Sequence, residues 1–195
     1  MFYNQWATAL AELIVSLTQR EGGLGWLSSS APSSDSQPSS GAKVFFANSG
    51  TEANEGALKI ARKVGKDRWA AKKGRDVRWD EPACRKWRIA CFENSFHGRT
   101  MGSLSATNNT KYQKPFAPLV PGFDCGKVND HDGLHQLITE DTCGVIVEPI
   151  QGEGGIFVVD AEWLKALRKR CDEVGAVLIF DEIQVSLLPK FSFHS

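Results

Sequence analysis

The chain has 195 residues, 42% hydrophobic and 24% charged, a composition typical of a globular protein of one domain or slightly more. Lys plus Arg and Asp plus Glu number 23 each, so no overall charge would attract nucleic acid or an acidic membrane. The five cysteines form no CxxC pair and no Cys/His cluster, which argues against a zinc site or a secreted disulfide framework. No apolar run approaches the roughly 18 to 20 residues of a membrane span, and no secretory signal is visible.

The first 42 residues combine a helix pattern with a low-complexity segment. Residues 4–19 place apolar side chains at helical intervals and predict an amphipathic helix. Residues 22–42 are rich in Ser, Gly and Pro and predict a surface loop without a core of its own.

The stretch 43–61 predicts a strand, a tight turn and a helix start. Residues 44–46 form a short apolar run of strand type, residues 48–50 stop it, and Thr51 is a candidate N-cap. A helix start leaves backbone N–H groups unpaired, and Gly50 has no side chain to block them, so a phosphate could bind there. An ordinary strand-to-helix connection would explain the same residues.

Residues 65–87 form a charged segment that we interpret as the end of this helix followed by an exposed insertion. Its basic residues alternate with tryptophans, a combination that can bind nucleic acid. Acidic residues in the same segment neutralise that charge, which favours a plain solvated surface.

Three further strands are predicted, at residues 88–93, 143–147 and 176–180. A helix capped by Asp160 and ended by Gly175 precedes the last of them, and residues 103–121 are predicted to be mostly loop. Strands separated by helices or long crossovers indicate an open, mostly parallel α/β sheet, whose ligand site lies beyond the carboxyl ends of the strands. Each strand is followed there by a polar motif, in residues 48–51, 94–99, 148–155 and 181–184.

Four motifs together resemble the class III pyridoxal-phosphate (PLP) aminotransferases: NSGTEANE at 48–55, FHGRT at 96–100, EPIQGEGG at 148–155 and DEIQ at 181–184. Within the family the chain is most similar to acetylornithine aminotransferases, from about residue 2 to residue 184 in the family's order. The resemblance implies a fold type I large domain that is only partly present, in residues 1–184, with a divergent tail at 185–195.

The resemblance also implies roles for individual residues. It assigns the cofactor to Gly50, Thr51, Phe96, His97, Asp181 and Gln184. Gly50 and Thr51 would bind the phosphate, Phe96 would stack on the pyridine ring, and His97 would support the site. Asp181 would pair with the pyridine nitrogen, and Gln184 would hydrogen-bond the 3-hydroxyl. A core aromatic at Phe96 and a helix cap at Asp181 are the alternatives without the resemblance.

Two residues are implied to bind substrate. Arg99 would take a substrate carboxylate in a bidentate pair, whereas a surface ion pair is its alternative role. Glu153 resembles the acid that neutralises a second substrate-binding arginine until a dicarboxylate displaces it. No residue of this chain resembles the lysine that forms the Schiff base with the cofactor, so the resemblance implies no catalytic residue here. Lys190 stands too near the DEIQ motif and in the wrong context for that role.

The reaction implied is amino transfer from N-acetylornithine to 2-oxoglutarate, giving N-acetylglutamate semialdehyde and glutamate in arginine biosynthesis. Ornithine and 4-aminobutyrate are rival amino donors. The resemblance further implies a homodimeric parent enzyme in the mitochondrial matrix, or otherwise the cytoplasm, with small-molecule partners. From composition, charge and cysteine spacing we expect no metal, nucleic acid or membrane. We expect this chain to be a truncated, inactive form. A non-catalytic chain that binds PLP or associates with a full-length subunit is the alternative.

Overall fold

The structure, a computed structural model, describes residues 4–18, 42–74 and 83–184. They belong to two compact units, one made of residues 1–46 and 187–195 and the other of residues 47–186. The predicted tail, and all of the predicted Ser-rich loop except Ala42, lie outside the described residues.

The described part of the first unit contains one helix, α1 (Gln5–Thr18), as predicted. The Asn4 carboxamide accepts a 3.0 Å hydrogen bond from the backbone N–H of Trp6, which pairs one of the free donors at the helix start. The predicted strand at 44–46 is wrong. Residues 42–47 have no regular secondary structure, and Phe45 is 76% exposed. A strand requires backbone bonds to a neighbour, and no described strand pairs with this segment.

The second unit is built on a parallel sheet, as predicted, and three of its four strands are predicted ones. Its strands are β1 (Arg88–Phe92), β2 (Phe123–Gly126), β3 (Thr142–Val147) and β6 (Val177–Phe180), in the order β2-β1-β3-β6. A two-stranded antiparallel ribbon joins β4 (Ile150–Gln151) to β5 (Phe157–Val158). The sequence analysis missed β2, whose residues Phe-Asp-Cys-Gly show neither an apolar run nor a clear alternation.

Helices cover this sheet. They are α2 (Gly50–Lys72), α3 (Met101–Ala106), α4 (Thr110–Gln113), α5 (Leu134–Leu137) and α6 (Ala161–Val174), with a 3-10 turn at Lys114–Phe116. The segment 103–121, predicted to be mostly loop, therefore contains short helices. None of the helices in the described ranges is long and apolar enough to cross a membrane.

The start and the length of α2 both differ from the prediction. Ser49, not Thr51, is the N-cap, because the Ser49 hydroxyl accepts the Glu52 N–H while Thr51 already lies in the first turn. The helix also continues through residues 65–72, which were assigned to its end and the insertion. Gly65 lies against β3 here, where an added Cβ would come within 2.5 Å of the Cys143 Cβ. The glycine therefore permits close helix-sheet contact and does not end the helix.

The core consists of two apolar clusters. One is formed by α6 with β1 and β3, where the Phe92 and Trp163 rings meet edge to face at 5.1 Å. The other packs Leu58 and Ala61 of α2 against the sheet. Helix α6 matches its prediction: the Asp160 carboxylate accepts two backbone N–H groups and Gly175 takes the left-handed φ of 71°. The apolar residues of its inner face are buried, namely Leu164, Leu167, Cys171 and Val174.

Candidate functional site

The segments that follow β1, β3 and β6 meet the start of α2 at one edge of the sheet, as expected for parallel strands. Hydrogen bonds connect them. The carboxylate of Asp181, after β6, binds side chains from both the β1 loop and α2. The carboxylate of Glu148, after β3, accepts the Phe96 N–H of the β1 loop at 2.9 Å.

Asp181 is the centre of this cluster, and only 6% of it is exposed. Its Oδ2 accepts His97 Nδ1–H at 2.7 Å and Asn54 Nδ2–H at 2.8 Å, while Oδ1 accepts the Ile183 N–H at 3.1 Å. Burial by itself would raise the pKa of Asp181, but the hydrogen bond and charge of His97 and the hydrogen bond of Asn54 lower it below its ordinary value. The carboxylate is therefore ionised at neutral pH.

Asn54 is a site residue that the sequence analysis missed. Its amide group also donates to the backbone oxygen of His97 at 2.8 Å, so one buried side chain contacts both residues of the His97–Asp181 hydrogen bond. Helical spacing could have indicated that Asn54 is buried, because residues 54, 58 and 61 lie on the same face of α2. The apolar Ile60 of the same helix is 57% exposed.

The loop of residues 97–100 lies directly on the first turn of α2. Gly98 has a φ of 128°, and a Cβ there would come within 2.2 Å of the Thr51 Oγ1, so only glycine fits. The hydroxyls of Thr51 and Thr100 are 2.9 Å apart. Around them, the first backbone N–H groups of α2 lack acceptors within the helix, which makes this turn suitable for an anion.

Glu55, in the second turn of α2, fixes the loop after Gly98. Its Oε1 accepts the Thr100 hydroxyl at 2.6 Å and the N–H groups of Gly102 and Ser103 at 2.7 and 3.1 Å. Burial raises the pKa of Glu55, but these hydrogen bonds outweigh it and lower the pKa overall.

The aromatic part of the site is a contact group that we call the Tyr112 cluster, formed by Tyr112 with Phe96, Arg99 and Glu153. The Phe96 and Tyr112 rings meet edge to face at 5.6 Å, and the Arg99 guanidinium lies 4.7 Å from the centre of the Tyr112 ring. The Tyr112 hydroxyl donates to Glu153 Oε1 at 2.5 Å. Tyr112 thus connects three predicted site residues, but no local pattern in its own helix indicated this.

The segment 181–184 lies beside both the first residue of α2 and the loop after β3. The Ile183 side chain lies beside Gly50, where an added Cβ would come within 2.6 Å of the Ile183 Cδ1. Gln184 lies beside the loop after β3, with its Cβ 3.7 Å from an ideal Cβ on Gly152. Ile183 was not among the predicted site residues.

Glu148 is buried close to the ionised Asp181. Burial raises the pKa of Glu148, and the charge of Asp181 acts in the same direction. The Phe96 N–H and the charge of His97 oppose this rise without cancelling it. Glu148 therefore has the environment of a structural carboxyl group that gains a proton more easily than Asp181.

These features define an α/β protein whose candidate ligand site lies at the carboxyl ends of parallel strands, with a helix start suited to an anion near a buried carboxylate. The family model described as "Aminotransferase class-III" matches residues 27–187. The chain therefore belongs to the class III aminotransferases, an enzyme family whose members depend on PLP.

Curated relatives agree with this family. The chain is 50% identical over 187 residues to the mitochondrial acetylornithine aminotransferase of Neurospora crassa and 51% identical to that of Yarrowia lipolytica. Both matches cover 96% of this chain but only 35% and 38% of those proteins. A succinylornithine transaminase from Yersinia pseudotuberculosis is 51% identical over 145 residues, which are 74% of this chain and 33% of that protein. The chain spans little more than a third of the relatives it matches.

Solved structures confirm the fold. The N-acetylornithine aminotransferase of Stenotrophomonas maltophilia superposes with a TM-score of 0.60 at 30% identity, covering 95% of this chain and 36% of that one. The ornithine aminotransferase of Toxoplasma gondii, whose structure is described with partial PLP occupancy at its active site, gives a TM-score of 0.60 at 32% identity. That match covers 72% of this chain and 31% of the other. The α/β fold is thus that of the PLP-dependent aminotransferases of fold type I.

Proposed function

We propose that this chain forms part of the PLP-binding large domain of an acetylornithine aminotransferase. The reaction would move an amino group from N-acetylornithine to 2-oxoglutarate, as a step of arginine biosynthesis. One observation carries the proposal: a buried carboxylate, Asp181, is held ionised by His97 and Asn54 near a helix start suited to phosphate. The identity of about half to the mitochondrial fungal enzymes supports this choice within the family.

The residues present fit PLP. The cofactor has a phosphate at one end and a protonatable ring nitrogen at the other. The first turn of α2 offers the backbone N–H groups of Gly50 and Thr51 to the phosphate, and the lowered pKa of Asp181 keeps a negative charge for the ring nitrogen. When bound, PLP supplies an electron sink for the substrate's reacting carbon.

The residues of this chain would bind and orient the cofactor. Gly50 and Thr51 would bind the phosphate, and Asp181 would keep the proton on the ring nitrogen. Phe96 would pack on the ring while Gln184 hydrogen-bonds its 3-hydroxyl. His97, whose buried Nε2 has no hydrogen-bond partner among the described residues, fixes the direction of the Asp181 carboxylate through Nδ1.

Substrate binding would involve the Tyr112 cluster. Arg99 is exposed at the site and would take a substrate carboxylate. Its guanidinium lies over the Tyr112 ring, and the Tyr112 hydroxyl donates a hydrogen bond to Glu153. Tyr112 therefore contacts both the cation and the acid. In this arrangement Glu153 can balance a positive charge until a dicarboxylate replaces it.

The rest of the proposal concerns the whole enzyme. We propose a mitochondrial enzyme, following the names of the fungal relatives. A homodimer in the matrix is proposed from the family resemblance alone. Because no residue of this chain resembles the family's reactive lysine, we expect the 195-residue chain to bind PLP without completing a turnover. A non-catalytic chain that binds PLP or associates with a complete subunit would show the same behaviour by itself.

The amino donor is the least constrained part. Succinylornithine is a specific rival of N-acetylornithine, because a succinylornithine transaminase is as similar to this chain as the fungal enzymes are, over a shorter stretch. Ornithine and 4-aminobutyrate are further candidates. The site residues named here address the carboxylate and the cofactor, which all these reactions share.

The experiment is a titration of the purified chain with PLP, followed by absorbance and by quenching of tryptophan fluorescence. Loss of the Asp181 charge should weaken binding about 10- to 100-fold in Asp181→Asn, the value of one charge-assisted hydrogen bond of about 1.5 to 3 kcal/mol. Asp172→Asn, at an exposed position of α6, is the matched control and should bind like the wild type. Borohydride treatment and peptide mapping then test whether any lysine becomes covalently labelled.

Two results would contradict the proposal. Equal PLP affinity of the wild type and Asp181→Asn would remove Asp181 from the cofactor site. A single labelled lysine together with measurable amino transfer would show that the chain is catalytically complete, against our expectation.

A further inference from the structure

Two cysteines occupy adjacent positions on neighbouring strands, outside the site described above. Cys91 of β1 and Cys125 of β2 are directly paired in the parallel register. Paired residues of adjacent strands point to the same face, and the strands lie about 4.8 Å apart, within the Cα separation of about 4.4 to 6.8 Å that a disulfide can span. The two thiols are close enough for each to shift the pKa of the other.

The surroundings of the two sulfur atoms differ. Cys125 is exposed, and its Sγ accepts a hydrogen bond from the Asn108 Nδ2. Cys91 is 2% exposed, and its thiol lies 3.5 Å from the backbone oxygen of Asp124. One sulfur of the pair is therefore open to solvent and the other is shielded behind it.

Hydrogen bonding makes Cys125 the more acidic thiol. Its pKa is lowered mainly by the hydrogen bond from Cys91 and further by that from Asn108, against burial and the negative charge of Glu93. The pKa of Cys91 is raised by the same shared hydrogen bond and by burial. Thiolates are the nucleophilic form, so Cys125 is the one prepared to react.

We propose that Cys125 and Cys91 form a peroxide-sensitive pair that closes into a reversible disulfide between β1 and β2. In the first step the Cys125 thiolate attacks one oxygen of hydrogen peroxide, the O–O bond breaks, and Cys125 sulfenic acid and hydroxide result. In the second step the Cys91 sulfur attacks the sulfenic sulfur, the S–S bond forms, and the displaced hydroxide takes the Cys91 proton as water. The two thiols lose two electrons, which reduce the peroxide.

The cysteine pair lies next to the candidate site, because Cys91 belongs to β1, the strand that leads into the loop of that site. Three residues separate Cys91 from the buried Ser95, where the loop with Phe96 and His97 begins. Asn108, which holds the Cys125 sulfur, pairs with Glu93 in an isolated parallel bridge. A low-molecular-weight thiol such as glutathione would reopen the disulfide, because exposed disulfides are the labile ones.

The test uses the reduced 195-residue chain and dilute hydrogen peroxide. After alkylation of free thiols and trypsin digestion without reductant, each cysteine lies in a different peptide, with Cys91 in residues 89–99 and Cys125 in residues 112–127. We expect these two peptides to be joined, and free thiols in the unfolded product to fall from five to about three, since one disulfide consumes two. Glutathione should restore all five.

Variants separate the pair from general oxidation. Cys125→Ser should leave Cys91 reduced, and Cys91→Ser should let Cys125 accumulate as a sulfenic acid that dimedone traps. Cys84→Ser, at a half-buried cysteine outside the pair, is the control and should form the linked peptides like the wild type. Oxidation of Cys84 while both members of the pair stay reduced would overturn the proposal. Loss of the Cys91 thiol in Cys125→Ser would also overturn it.

Discussion

Replacing Asn54 by alanine tests whether the candidate site is held together by its buried hydrogen bonds. The Asn54 amide group donates to the Asp181 carboxylate and to the backbone oxygen of His97, both at 2.8 Å. Alanine removes both donors and leaves the His97 oxygen buried with one partner fewer. The pKa of Asp181 should then move back up toward its ordinary value, because one cause of its lowering is gone.

The size of the effect follows from the two bonds. A hydrogen bond to a charged group contributes about 1.5 to 3 kcal/mol and a neutral one about 0.5 to 1.5 kcal/mol. Alanine recovers roughly 0.5 kcal/mol through its better helix propensity. We therefore expect Asn54→Ala to lower the free energy of unfolding by about 1.5 to 4 kcal/mol.

Urea unfolding, followed by tryptophan fluorescence, measures this difference at neutral pH. Lys59→Ala, on the exposed side of the same helix, is the control and should change stability by less than about 0.5 kcal/mol. If Asn54→Ala behaved like Lys59→Ala, the hydrogen bonds around Asp181 would not be the interactions that hold the loop, the helix and β6 together.

Three further predictions concern single contacts. Glu148→Gln should be more stable than the wild type at neutral pH, and the difference should vanish below about pH 4. The reason is that the pKa of Glu148 is raised, so the wild type loses stability as this group ionises. A pH series of urea midpoints tests this, and a difference independent of pH would contradict it. Gly98→Ala should cost at least about 2 kcal/mol in urea unfolding, through strain and the clash with Thr51. Gly74→Ala, with positive φ but open space, should cost only about 1 kcal/mol. Glu153→Gln should lower the raised pKa of Tyr112, measured by ultraviolet titration in a Tyr3→Phe background, and an unchanged pKa would argue against the Tyr112–Glu153 bond.

The parallel sheet and helix α6 could be predicted because their signals are local. Each of the strands β3 and β6 is a continuous apolar run, and α6 carries a cap at either end. The same kind of apolar run failed at residues 44–46, since hydrophobicity indicates burial but cannot supply a neighbouring strand. Strand β2 was missed for the opposite reason: it pairs along its whole length with β1 without an apolar pattern of its own.

The motifs of the candidate site could be predicted from the sequence, but the contacts between them could not. The motifs at 48–51, 94–99, 148–155 and 181–184 do meet at one edge of the sheet. Asn54 and Tyr112 escaped notice because their importance comes from partners far along the chain, with Asn54 127 residues from Asp181. Spacing on a helix shows which face is buried, but it does not show which polar group of another segment lies against that face.

The hydrogen bonds that set the charge of Asp181 come from the protein itself. Its partners His97 and Asn54 belong to a different loop and a helix, so the carboxylate keeps its direction without any ligand. Gly98 and Glu55 fix the neighbouring loop on the helix start in the same way. A site ordered by its own contacts loses little conformational entropy when a ligand binds, so more of the interaction energy appears as affinity. The same contacts bring together segments far apart in sequence, so the site can persist only while this unit of the chain is folded.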